Sequence, residues 1–148
     1  MNLRAVITAV ATVTVSLTAM AQHYESPEAA LSEYVAAYKA RDVERFISSI
    51  DFNYEAEELL RRVAGKTQEP TEPQVQEKAN ALVNELREHF AKLGFRAATL
   101  DNCKSITKFQ ESESQVRIIL SCSDSRGTTT FPVRVHRFKH GWRIVRGG

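Results

Sequence analysis

The last third of the chain constrains the fold most. Between residues 98 and 146, runs rich in β-branched and aromatic residues are cut by three short breaks: Gln110-Glu111-Ser112-Glu113-Ser114, Ser125-Arg126-Gly127 and Lys139-His140-Gly141. Polar or glycine-bearing breaks between such runs are hairpin connections. The stretch therefore predicts antiparallel strands over 98–109, 115–123, 128–138 and 142–146. A meander of this kind presents an apolar face that the rest of the chain has to cover.

The first hairpin carries its own test. With the turn centred between Ser112 and Glu113, Phe109 faces Val116, Thr107 faces Ile118, Ser105 faces Leu120, and Cys103 faces Cys122. These are the only two cysteines in the chain. Opposed positions on neighbouring antiparallel strands are close enough for a disulfide, and a slip of one residue would send the thiols to opposite faces. A Cys103–Cys122 bridge is expected, contributing about 3 kcal/mol for a closed loop of about twenty residues.

Such a bridge needs an oxidising compartment, and the N-terminus predicts one. Met1-Asn2-Leu3-Arg4 gives a positive start, residues 5–18 carry no charge, and Ala19-Met20-Ala21 is a small-x-small cleavage pattern. This is the layout of a secretory signal peptide whose apolar run is short for a membrane span. Residues 1–21 are read as a cleaved signal and residues 22–148 as one domain. No cysteine directly follows the cleavage pattern. The expectation is a periplasmic or secreted protein with no stable membrane anchor.

Taken in order, the mature chain opens on helices. Ser26 is placed to cap a first helix, Pro27 suits its first position, and Glu28 complements its dipole. Ala30, Leu31, Tyr34, Val35 and Tyr38 recur at helical spacing as far as about Ala40. Asp42 caps a shorter second helix with Val43, Phe46, Ile47 and Ile50 as its stripe, and a third helix over 54–64 carries Leu59, Leu60 and Val63. Gly65, Pro70 and Pro73 make 65–73 an irregular loop. The longest helix follows over 74–93, with Val75, Ala79, Leu82, Val83, Leu86, Phe90 and Leu93 as its stripe and Gly94 as its C-terminal cap.

Helices first and strands last predict an α+β domain, its N-terminal helices packed on one face of a curved four-stranded antiparallel meander. Alternation assigns Cys103, Thr107, Phe109, Val116, Ile118, Leu120, Cys122, Phe131, Val133, Val135, Trp142 and Ile144 to the core face. The outer face then carries Lys104, Ile106, Lys108, Arg117, Ile119, Arg134, His136, Arg143 and Val145. From Gln22 to Leu93 there are nine Lys/Arg against fourteen Asp/Glu, and from Gly94 onward ten against four. An acidic helical half faces a basic sheet half, while the near-neutral sum gives no reason to expect nucleic acid as a partner.

Short motifs add a resemblance. Ser26-Pro27-Glu28-Ala29-Ala30 opens a helix, Tyr38-Lys39-Ala40-Arg41-Asp42-Val43 makes the step to the next, and the chain closes on Gly141-Trp142-Arg143-Ile144-Val145. In this order they resemble the nuclear transport factor 2-like superfamily, the cone-shaped α+β roll, and within it the small exported bacterial domains similar to lumazine-binding proteins. The likeness runs over nearly all of residues 26–146. One departure is that the superfamily often has a short strand pair where residues 54–63 read as helix. The resemblance implies a fold that hosts isomerases, cyclases, dehydratases, immunity proteins and dimerisation modules, so function rests on the site. It also implies that an enzyme of this kind would hold a carboxylate, often with His or Tyr, inside the cone.

The residues offer little toward such chemistry. An Asp101–Tyr38 acid/base pair is the one arrangement available, and catalysis is not expected. The four histidines are scattered and no spacing suggests a metal site or a cofactor. Two binding readings remain. In the first, the outer sheet face is an interface for a second copy or a protein partner, with Ile106, Ile119 and Val145 ringed by Lys104, Lys108, Arg117, Arg134 and Arg143, and with His136 alongside. In the second, the cone holds a small apolar ligand against Tyr34, Tyr38, Phe131 and Trp142, with Asp101 near the rim.

Overall fold

The computed structural model of the chain describes residues 22–65, 68–95 and 102–146. The signal peptide read over 1–21 and the expected first residues of the opening strand lie outside them.

Each early helix starts on a side chain that accepts from an exposed first-turn amide. Ser26 Oγ accepts from Ala29 N at 3.1 Å and opens α1 (Pro27–Lys39). Asp42 Oδ1 accepts from Arg45 N at 3.0 Å and opens α2 (Val43–Ser48). Asp51 Oδ1 accepts from Tyr54 N at 2.9 Å and opens α3 (Phe52–Ala64). The last helix, α4 (Glu72–Leu93), starts two residues before the expected position. Pro73 is tolerated in a first turn, and Gln74 Oε1 accepts from Thr71 N at 2.9 Å.

The strands β1 (Cys103–Ser112), β2 (Gln115–Asp124), β3 (Gly127–Phe138) and β4 (Gly141–Val145) form one antiparallel sheet in that order. Cys103 faces Cys122 and the two are bridged, with Cα atoms 4.1 Å apart. Beyond Ser105 the expected register fails. A bulge at Ile106 leaves Thr107 opposite Ile119, Lys108 opposite Ile118 and Phe109 opposite Arg117. One extra residue on one strand swaps the faces of everything past it. Thr107 and Phe109 therefore leave the core face and are exposed, and Lys108 crosses to the core side, where its ammonium pairs with Glu28 of α1.

At the other side of the sheet, β4 is short. Its last pair with β3 is Val145 opposite Arg134, and the next β3 residue on that side is Pro132, which has no amide to give. The free edge of β4 is met by two stretches of the helical half. Tyr24 exchanges backbone hydrogen bonds with Trp142 at 3.1 and 2.7 Å, while Asp51 N and Ser49 O bond Ile144 at 2.8 and 3.2 Å. The approach of Tyr24 needs Gly141, because a Cβ there would stand 2.6 Å from Tyr24 O.

Val116, Ile118, Leu120, Val133, Val135 and Ile144 are buried in one cluster with Ala30, Leu31, Phe46, Ile47, Phe52 and Ala56 of the helices. Two readings of the sequence need correction. The buried stripe of α3 is Phe52, Glu55 and Ala56, not the turn after it; Leu59 is 38% exposed and Val63 89%. On the outer face, His136, Arg143 and Val145 are buried. The start of α3 accounts for two of them: Asp51 binds Arg143 and the Tyr54 ring lies 4.6 Å from that of His136.

Candidate functional site

Asp51 and Glu55 stand one turn apart at the start of α3, and each meets an arginine from the end of the chain. Asp51 Oδ2 accepts from Arg143 Nη1 at 3.0 Å. Glu55 takes Arg146 in a fork: Oε1 accepts from Nε and Oε2 from Nη2, both at 3.0 Å, and Oε1 also accepts from the Arg146 amide at 2.8 Å. The Arg146 guanidinium lies 4.9 Å over the Phe52 ring. Two parallel N–H···O bonds to one carboxylate fix the guanidinium plane as well as its position.

Three clefts open around Arg146. The first, about 290 Å³, lies between α3 and β3, with Tyr54, Glu58, Arg134 and His136 among its walls. The second, about 260 Å³, sits where β4 ends, lined by Tyr34, Arg117, Phe131, Val133 and Arg134. The third, about 420 Å³, is bounded on α4 by Leu82, Glu85, Leu86 and His89. Arg146 lines all three. Sharing Arg146, the three clefts are together called the mouth.

The electrostatics of the mouth are set by burial. Desolvation pushes the Tyr34 hydroxyl up to about 12, against a smaller opposite pull from Arg146. Tyr34 therefore stays protonated and able to donate at any physiological pH. Its ring packs 4.6 Å from Phe46, and its hydroxyl makes no hydrogen bond among the described residues. Desolvation, and then Arg134, hold the His136 imidazole below its usual range. Arg117 Nε is buried without a hydrogen-bond partner; Glu111 Oε1 lies 3.1 Å away but off the axis a bond requires.

Of the residues proposed from sequence to line the cone, Tyr34 and Phe131 meet in the second cleft. Tyr38 does not; it is buried among Phe46 and Phe95, with ring centroids at 5.6 and 5.0 Å. Trp142 stands on β4 beside Tyr24, away from the clefts. Asp101 lies outside the described residues. Of the proposed outer-face set, Lys104 and Ile106 are exposed, Arg117 sits 5.4 Å over the Phe109 ring, and Ile119 and Arg134 are half-buried. Lys108 points to the other face, and His136, Arg143 and Val145 are covered. Sequence reasoning missed Glu55, Arg146 and the α4 side. The available signal was the Asp51/Glu55 spacing, which puts two acids on one helical face opposite a strand rich in arginine.

Among the described residues no group of three His, Cys, Asp or Glu could hold a metal ion, and no helix is long and apolar enough to cross a membrane. No protein-family description and no curated protein matches the chain. Solved structures do: a Campylobacter jejuni protein described as an NTF2-like transpeptidase is similar over 82% of this chain and 100% of its own, with a TM-score of 0.49 and 11% identity. Among the described residues, four helices followed by a four-stranded antiparallel meander make the α+β arrangement that the order of elements in the sequence predicted.

Proposed function

We propose that this domain is a binding module that holds a small molecule in the mouth around Arg146. The observation that carries the reading is the convergence of three clefts on one half-exposed guanidinium. Apolar walls with a few convergent polar groups are the usual make-up of a ligand site. Leu82, Leu86, Phe131 and Val133 supply the walls, and Tyr34, Arg134 and Arg146 the polar groups. The neutral dye N-phenyl-1-naphthylamine tests the site without presuming a charge. Saturable binding is expected, weakened at least about tenfold by Leu86→Trp or Val133→Phe, which fill the clefts. No saturable binding, or binding touched by neither substitution, refutes the site.

A second reading is favoured by one specific observation. Ile106 and Phe109 are 51% and 45% exposed on β1, beside Lys104 and Arg117. An apolar centre with a cationic rim fits a protein partner presenting an acidic surface; docking of two such faces on each other would oppose like charges. Lys104→Glu with Phe109→Ser should break partner binding and leave dye binding unchanged. Arg117 is unsuitable for this test because it borders both the face and a cleft. Concentration-dependent dimerisation abolished by the same pair would assign the face to a second copy.

The Cys103–Cys122 bridge supports an oxidising location, and we read the protein as exported with residues 1–21 removed. Intact mass of the protein recovered from cells should begin at Gln22; a chain that retains its first residues would refute removal.

A further inference from the structure

We propose that His23 and His140 form a copper(II) site together with two main-chain nitrogens, the Gln22 amine and the His23 amide. This rests on removal of residues 1–21, which turns the Gln22 nitrogen from an amide into an amine. The two imidazoles come from opposite ends of the described chain, and their ring centres lie 5.8 Å apart. Two imidazoles on one ion, each held by a bond of about 2.0 Å, stand roughly 4.5–6.3 Å apart as the angle at the ion opens from right to straight. The fold keeps the pair within that range. Tyr24 and Trp142 exchange backbone hydrogen bonds, and Gly141 lets the chains approach so closely that a Cβ on it would stand 3.2 Å from His23 Cβ. His140 is exposed and His23 half-buried, so an ion can reach both from solvent.

Side chains supply two ligands here and the backbone supplies two more. Gln22 N and Tyr24 N donate to Ser48 O and Trp142 O, whereas the His23 amide between them donates to no described residue. A terminal amine, the next amide and the imidazole that follows close two fused chelate rings around one ion. His140 takes the fourth corner of the square. Four nitrogens in a plane suit copper(II) or nickel(II), and copper(II) is the tighter of the two. Zinc prefers a tetrahedron and does not displace an amide proton, so it is held less well. Binding sends one proton from the terminal ammonium and one from the His23 amide to solvent, and the ion keeps its charge of two.

Titration of copper(II) into metal-stripped protein recovered from cells, its intact mass beginning at Gln22, tests this. One ion should bind per chain, with nitrogen coupling in the electron paramagnetic resonance spectrum and a visible band at shorter wavelength than imidazoles alone give. His23→Gln and His140→Gln should each weaken copper(II) at least about tenfold, and His140→Gln, in an exposed turn, should leave the urea midpoint unchanged. Zinc(II) should bind at least about a hundredfold more weakly than copper(II). Gln22→Ala, which keeps the amine and cannot cyclise, should bind as wild type does. Zinc(II) binding as tightly as copper(II) overturns the amide ligand. Copper(II) binding that survives both histidine substitutions, or that fails in Gln22→Ala, overturns the site while removal of residues 1–21 stands. A chain that retains its first residues lacks the amine and overturns both.

Discussion

Replacing Asp51 by asparagine should cost the domain about 3 kcal/mol or more, and replacing it by alanine about 1 kcal/mol beyond that. The two figures separate two tasks of one carboxyl. Oδ1 caps α3 through Tyr54 N, and asparagine keeps that acceptor. Oδ2 carries the charge that matches Arg143, whose side chain is 6% exposed. Burial pulls the Arg143 guanidinium below its usual range and Asp51 draws it back, so loss of the charge strands a buried cation. Breaking one partner of a buried pair typically costs about 3–5 kcal/mol, a large part of the roughly 5–15 kcal/mol that holds a domain together. Urea unfolding of wild type, Asp51→Asn, Asp51→Ala, Arg143→Met and the Asp51→Asn/Arg143→Met double variant gives the full cycle. The double variant should be markedly less destabilised than the sum of its single changes, though not neutral, because Arg143 Nη2 also satisfies Ser48 O and Ile50 O. An Asp51→Asn loss below about 1 kcal/mol, or an additive cycle, would refute the burial argument.

The remaining predictions concern the sheet and its edges. Reduction, or Cys103→Ala with Cys122→Ala, should remove about 3 kcal/mol and speed amide exchange in β1 more than in β3, because β1 is exposed along nearly its whole length; equal exchange in both strands would contradict this. His136 binds its proton less readily folded than unfolded, since burial and Arg134 lower its pKa. Its share of stability is therefore complete above the ordinary value of about 6.5 and declines as pH falls through that value toward the lower folded one. Thermal midpoints measured from about pH 8 to about pH 5 should fall less steeply in His136→Gln, and an unchanged slope would refute the assignment. Gly141→Ala should cost about 2 kcal/mol and free the segment around Tyr24 to proteases, since φ there is +139° and the new Cβ meets Tyr24 O; an unchanged digestion pattern would show that the Tyr24 bridge does not depend on it.

The helices, the meander and the disulfide could be read from local rules. Ser26, Asp42 and Asp51 each sit before an apolar period, and Cys103 and Cys122 share a parity that only one register permits. What failed was long-range. Nothing in the sequence around Ser105-Ile106-Thr107 announces a bulge, and that one extra residue exchanged the faces of Lys108 and Phe109. Glu55 looked like a solvent-facing acid because its partner, Arg146, lies far off in sequence; with Arg146 in place it is one of the buried residues of α3. His136 and Arg143 alternate as outer-face residues should, but alternation cannot say that the start of α3 will cover them.

Arg143 and Arg146 show how the same pairing yields two different roles. Both end on a carboxylate of the α2–α3 corner at 3.0 Å. Arg143 has its Nη1 on Asp51 and its Nη2 on two backbone carbonyls, all beneath the surface. No donor it retains is reachable by a ligand, and its loss should read as lost stability alone. Arg146 spends half of its fork on Glu55 and keeps the rest where three clefts open. Its exposure of 34% screens the pair, so its removal together with Glu55 should cost less stability than the Asp51–Arg143 cycle while costing more binding. The two effects are separable in one experiment, urea unfolding and N-phenyl-1-naphthylamine titration on the same variants. A Glu55→Gln/Arg146→Gln protein that is strongly destabilised yet binds the dye as wild type does would reverse the two roles and place the ligand elsewhere.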